Sequence, residues 1–181
     1  AQMVSTAENV PVNSVDVKAR SQNFNNGWKF NLGDISGAEA LAYNDAQWRN
    51  VDLPHDYSIE QDFSRSMEGE SGYLPGGVGW YRKNVEIPSA LSAKRISLNF
   101  DGVYMDATIY VNGTELANHP YGYTPFSVDI TDAVKFGENN IIAVKVNHQT
   151  PSSRWYSGSG IYRNVDLVVT DPVHIGYSGV K

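Results

Sequence analysis

Hydrophobic and polar residues alternate along most of this chain. In RISLNFDG, Ile96, Leu98 and Phe100 share one face; in ATIYVNG, Ala107, Ile109 and Val111 do; in IIAVKVNH, Ile142, Val144 and Val146 do. Phe126, Val128 and Ile130, and later Val165, Leu167 and Val169, repeat the pattern. A period of two turns one face toward a core and the other toward water, so each run predicts a half-buried strand. Asn112-Gly113 separates two of these runs, and its tolerance of positive φ predicts a two-residue hairpin turn. Asn112-Gly113-Thr114 also matches a glycosylation acceptor, but the turn accounts for it fully.

Helix is a minor component. Only residues 37–48 and 131–140 read as helical turns, the second with Thr131 as N-cap and Gly137 as stop. Many short strands with one apolar face each predict an all-β chain, a jelly-roll-like antiparallel β-sandwich. Residues 1–22 are polar and aperiodic and predict a flexible lead-in; 23–172 form the sandwich; 173–181, after Asp171-Pro172, read as the start of a link to a further domain.

Length and composition narrow the function. A chain of 181 residues suits one domain, and 41% hydrophobic residues with only 19% charged predict a packed interior. The net charge of -6 repels a phosphate backbone, so nucleic acid is not an expected partner. The absence of cysteine excludes disulfides and thiolate metal sites. No apolar run is long enough to span a bilayer, and the first residues have neither the charged nor the apolar region of a signal peptide, which is expected to have been removed if one existed. The four histidines, at 55, 119, 148 and 174, lack metal-ligand spacing, and no phosphate-cradling motif occurs, so no cofactor is expected; an oxygen-bound calcium or sodium ion stays open.

Candidate chemistry lies in two segments. In VDLPHDYSIEQDF, Pro54 closes a strand and His55-Asp56-Tyr57 follow on a loop, where a rigid sheet can aim them outward. In PSSRWYSGSGIYR, Arg154, Trp155 and Tyr156 combine flat aromatic faces with a group able to make paired hydrogen bonds to vicinal hydroxyls, the two elements of sugar recognition. On residue types alone, Trp155 and Tyr156 could equally plug the end of the sandwich while Arg154 pairs with a nearby acid. Glu68 and Glu70 flank a glycine in a loop and read as solvated charges, not as the carboxyl pair of a glycosidase. YGYTPF, residues 121–126, reads as the lead into a strand, packed on its neighbours, with a stacking platform as the lesser alternative.

NNGWKF, WRNVDLPHDYSIE, GYLPGGVGWYRKNVEIP, DGVYMDATIYVNGTELANHPYGYTPFSVDIT, NNIIAVKVNH and SRWYSGSGIYRNVDL, in that order, resemble the N-terminal sugar-binding domain of family 2 glycoside hydrolases. The resemblance covers about residues 23–175, and LPHD with GYLPGGVGWYRK is most similar to secreted bacterial β-galactosidases. It implies a galactose-binding-domain-like jelly roll leading into an immunoglobulin-like sandwich and a TIM barrel that carries two catalytic glutamates. It further implies a β-galactoside-type carbohydrate as ligand, a secreted, periplasmic or cell-surface location, and a positioning role for Arg154, Trp155, Tyr156, His55 and Asp56, with Asp56 the acceptor partner of Arg154. Catalysis is not expected from this segment alone. A β-glucuronidase or β-mannosidase parent, an independent carbohydrate-binding module and a purely structural domain remain the alternatives.

Overall fold

The computed structural model describes residues 13–152, 154–155 and 157–179. Eleven strands alternate with loops: β1 (Asn13–Ser14), β2 (Ser21–Asn23), β3 (Trp28–Leu32), β4 (Arg49–Val51), β5 (Gly77–Ile87), β6 (Arg95–Phe100), β7 (Ala107–Val111), β8 (Thr114–His119), β9 (Phe126–Asp129), β10 (Glu138–His148) and β11 (Val165–Thr170). They form two sheets. One runs β4-β3-β5-β10-β7-β8, with β1 added in parallel to the far end of β5; the other runs β2-β11-β6-β9. Every other pairing is antiparallel.

The sheets face each other across one apolar core, as the alternation requires. Ile96, Leu98 and Phe100 meet Ala107, Ile109, Val111, Ile142, Val144 and Val146 within a single buried cluster, with Val165, Leu167 and Val169 beside them. Asn112 and Gly113 both take positive φ, 51° and 86°, so the β7–β8 hairpin turns through the primed geometry that matches strand twist. The sandwich begins before Asn23: β1 and β2 lie in the stretch read as a lead-in, and Val15 between them is buried in the core.

Neither helical expectation holds among the described residues, whose helix consists of two three-residue 3₁₀ turns, Gly69–Ser71 and Ser89–Leu91. Residues 33–48 instead form a strap across the outer face of the larger sheet. Arg82, 1% exposed on β5, takes its carbonyls: the guanidinium donates to Ala38 O, to Ala40 O (3.1 Å) and to Tyr43 O (3.5 Å), while Nε donates to Asp45 Oδ2 (2.9 Å). With its carbonyls turned toward this guanidinium the strap keeps isolated turns, Ala40 N to Gly37 O and Tyr43 N to Ala40 O among them, in place of a continuous helical ladder. Beneath the strap Ala38, Trp48, Trp80 and Ala143 make a second, smaller core. Thr131 likewise extends a sheet rather than capping a helix: its hydroxyl accepts from Ile96 N (2.8 Å) and donates to Ile96 O (3.3 Å). Among the described residues no helix is long and apolar enough to cross a membrane.

Candidate functional site

Two loops meet at one end of the sandwich: residues 52–76, between β4 and β5, and residues 149–164, between β10 and β11. Their backbones pair where they cross. His55 N donates to Ile161 O and Tyr57 N to Ser159 O, each at 2.8 Å. Between them the Asp56 carboxylate accepts from Ser58 N (2.9 Å) and Ser159 N (2.8 Å), both through Oδ1. Oδ2 lies against Gly158, where a Cβ would fall 2.1 Å from it. Gly160 has φ +118°, and a Cβ there would meet Tyr81 Oη at 2.3 Å. The two glycines are therefore the residues that let the second loop close over Asp56.

Below this crossing lies a buried polar row. Ser58 Oγ donates to Pro75 O (2.9 Å) and touches Ser159 Oγ, which in turn meets His148 Nδ1. With the Ser58 proton directed to Pro75, Ser159 donates to Ser58, and His148 Nδ1–H must donate to Ser159. Neutral His148 then presents a bare Nε2, a buried atom without a hydrogen-bond partner among the described residues. Burial holds the His148 pKa below the usual histidine value, and Glu68 and Asp56 act against that shift.

Glu68 is not a solvated charge. Both its oxygens accept from Ser152 N, at 2.6 and 2.9 Å, which fastens the near end of the loop that Asp56 fastens at Ser159. Tyr104 braces the loop from below, with its ring edge-on to His148 (5.0 Å) and its hydroxyl 3.5 Å from Ser152 Oγ. Arg154 and Trp155 lie between the two fastened ends and are exposed, Trp155 at 62%. They do not plug the sandwich. Tyr156 lies outside the described residues.

His55 points elsewhere. Its Nδ1 meets Tyr81 Oη (2.7 Å), Nε2 meets Glu60 Oε1 (3.2 Å) and the Arg49 guanidinium (3.1 Å), and its ring lies 4.7 Å from Phe30. Burial keeps its pKa low, partly offset by Glu60. With 9% of the side chain exposed, His55 supports the loop from the core side, while its neighbour Asp56 faces the other loop.

The rim thus unites Asp56, Arg154 and Trp155 with four residues the sequence reading passed over: Glu68, Tyr104, His148 and Ser159. One of them carried a signal. Alternation along β10 continues from Val146 to His148 and places the histidine on the inner face.

Residues 43–172 match the family model for the sugar binding domain of glycosyl hydrolases family 2. The chain belongs to that family. Within family 2 it is 49% identical over 156 residues to the β-galactosidase BoGH2A of Bacteroides ovatus, covering 84% of this chain and 18% of that protein. It is 37% identical over 170 residues to a β-glucuronidase of Formosa agariphila, covering 84% and 17%. Among solved structures, a family 2 member from Bacteroides cellulosilyticus matches with a TM-score of 0.83 at 46% identity, over 85% of this chain and 21% of that one. The chain spans about a fifth of the length of these family 2 relatives.

Proposed function

We propose that this chain is the sugar-binding sandwich of a larger, β-galactosidase-like glycoside hydrolase, and that its rim completes the subsite for the terminal sugar. In this reading the two catalytic glutamates belong to a TIM barrel elsewhere in the protein, reached through an immunoglobulin-like domain, and the enzyme retains anomeric configuration. The observation that carries it is Asp56: a carboxylate on the crossing of the two rim loops, fixed through one oxygen by two backbone amides, with its other oxygen against Gly158. A carboxylate so held is a pre-set acceptor for sugar hydroxyls, and the exposed Arg154 supplies donors beside an exposed indole. These groups orient a sugar and do not cleave it. His55 serves by fixing the backbone that carries Asp56. Bacterial relatives of this kind make a secreted, periplasmic or cell-surface location the working assignment.

One observation favours a second parent activity. A glucuronide carries a carboxylate, and Arg154 is an exposed cation on the rim. The deciding experiment assays the full-length protein and this chain on p-nitrophenyl β-galactoside, β-glucuronide and β-mannoside. Activity in the full-length protein alone, greatest on the galactoside, is the expected result; preference for the glucuronide selects the second activity, and inactivity on all three overturns the hydrolase reading.

A further inference from the structure

Tyr121, Gly122 and Tyr123 lead from β8 toward β9, and they do not pack as a strand lead-in. Tyr121 is 68% exposed and Tyr123 48%. Gly122 sits flat on the Tyr104 ring, where a Cβ would fall 2.0 Å from a ring carbon, and its carbonyl accepts from Tyr162 Oη at 2.8 Å. The tripeptide is thereby held at its middle while its two tyrosines stand to either side. Tyr123 rests edge-on against Tyr104, 5.4 Å between centroids. Tyr121 is backed by His119 (5.9 Å, edge-on), which is itself stacked on Phe126 at 4.1 Å. Tyr104 Oη lies 3.5 Å from Ser152 Oγ, which accepts from Arg154 N at 3.3 Å, so Tyr104 joins the Tyr123 ring to the loop that carries Arg154.

We infer that Tyr121 and Tyr123 form a second carbohydrate subsite, which takes the sugar unit next to the terminal one in a β-linked oligosaccharide. This rests on the function proposed above and adds the class of substrate. Three observations support it. The aromatics are amphipathic and share the rim with a guanidinium, the combination that serves a C–H face and its hydroxyls together. The exposed Ile59 and Phe63, on the loop after β4, offer no hydroxyl at all. And contacts run from Asp56 through Ser159, His148 and Tyr104 to Tyr123, so the tyrosines adjoin the rim that holds Asp56.

The test compares two substrates of the full-length protein: the β-glycosyl fluoride of its preferred sugar, which has no aglycone ring, and an oligosaccharide ending in that same sugar. Tyr121→Ala and Tyr123→Ala are expected to lower the ratio of kcat/KM on the oligosaccharide to that on the fluoride about tenfold, through KM, whereas Tyr121→Phe and Tyr123→Phe keep most of it because the stacking face survives. Because the fluoride reports folding and chemistry in the same sample, a general loss of structure leaves the ratio unmoved. An unchanged ratio in the alanine variants, with the fluoride hydrolysed, overturns the second subsite alone. A wild-type protein that hydrolyses no β-glycosyl fluoride overturns the function proposed above and this subsite with it.

Discussion

The strap at 33–48 and the rim loop at 149–164 are fastened by the same kind of contact and put it to opposite use. In the strap the charge comes from the sheet: Arg82 donates to loop carbonyls and to Asp45, which Lys29 also binds at 2.7 Å. Burial alone would raise the Asp45 pKa, but Lys29 and Arg82 hold it below the usual range. In the rim loop the charges are carboxylates from a neighbouring loop, Asp56 and Glu68, accepting from amides of Ser159 and Ser152. The strap turns Trp48 inward onto Trp80, while the rim loop leaves Trp155 exposed. Fastening a loop with charge therefore does not say what the loop is for; the direction of its aromatic side chains does.

The largest expected effect is on the strap. Arg82→Ala leaves Asp45 and three carbonyls short of a buried donor, and chemical denaturation should show a loss of about 3–5 kcal/mol. A loss below about 1 kcal/mol would mean that water replaces the guanidinium and that the strap is not held as described.

Asp56→Ala should cost less stability, about 1.5–3 kcal/mol, and lower kcat/KM of the full-length protein further than its folding defect explains. Glu68→Ala removes one fastening point and should speed tryptic cleavage after Arg154 without a comparable change in global unfolding. Should the two variants behave alike in both assays, the rim would have a structural role only.

A pH titration sharpens the contrast further. His148 and His55 are held neutral by burial, so their folded pKa values lie below the unfolded value of about 6.5. Their contribution to stability is complete above that value and falls as pH drops toward the folded pKa values, by at most about 1.4 kcal/mol per pH unit for each proton. Asp45 and Glu60, with lowered pKa values, act only at more acidic pH, so the slope just below about pH 6.5 reports the histidines first. His148→Gln should flatten the slope there, and a slope identical to wild type would remove His148 from the account.

The smallest effect belongs to Trp155→Ala, expected within about 0.5 kcal/mol of wild-type stability because most of the side chain is exposed. Trp155 is the exposed tryptophan of the four, so its loss should also abolish most iodide quenching of the intrinsic fluorescence.

Much of this was legible in the linear chain, for reasons that differ by region. Strand alternation and Asn112-Gly113 are local signals, and nothing in the fold opposes them. The segments that carry Asp56 and Arg154 were recognisable because they form part of an ordered set of family blocks. Residues 37–48 misled because helical propensity is weak, and one buried arginine from a strand far along the chain turns the carbonyls toward itself. Glu68 misled because its partner, Ser152 N, lies 84 residues away, and a loop carboxylate looks the same in sequence whether or not an amide awaits it.

The sequence by itself determined the two-sheet architecture, its main hairpin and the family, since these rest on periodicity and on contiguous blocks of residues. Only the tertiary structure decided which face each side chain of the rim presents: His55 toward the core, Asp56 toward the opposing loop, Trp155 and Tyr121 toward solvent. Adjacent residues such as His55 and Asp56 differ there because their partners come from distant segments, Tyr81 for one and Ser159 for the other, and long-range contacts of that kind leave no periodic trace in the chain.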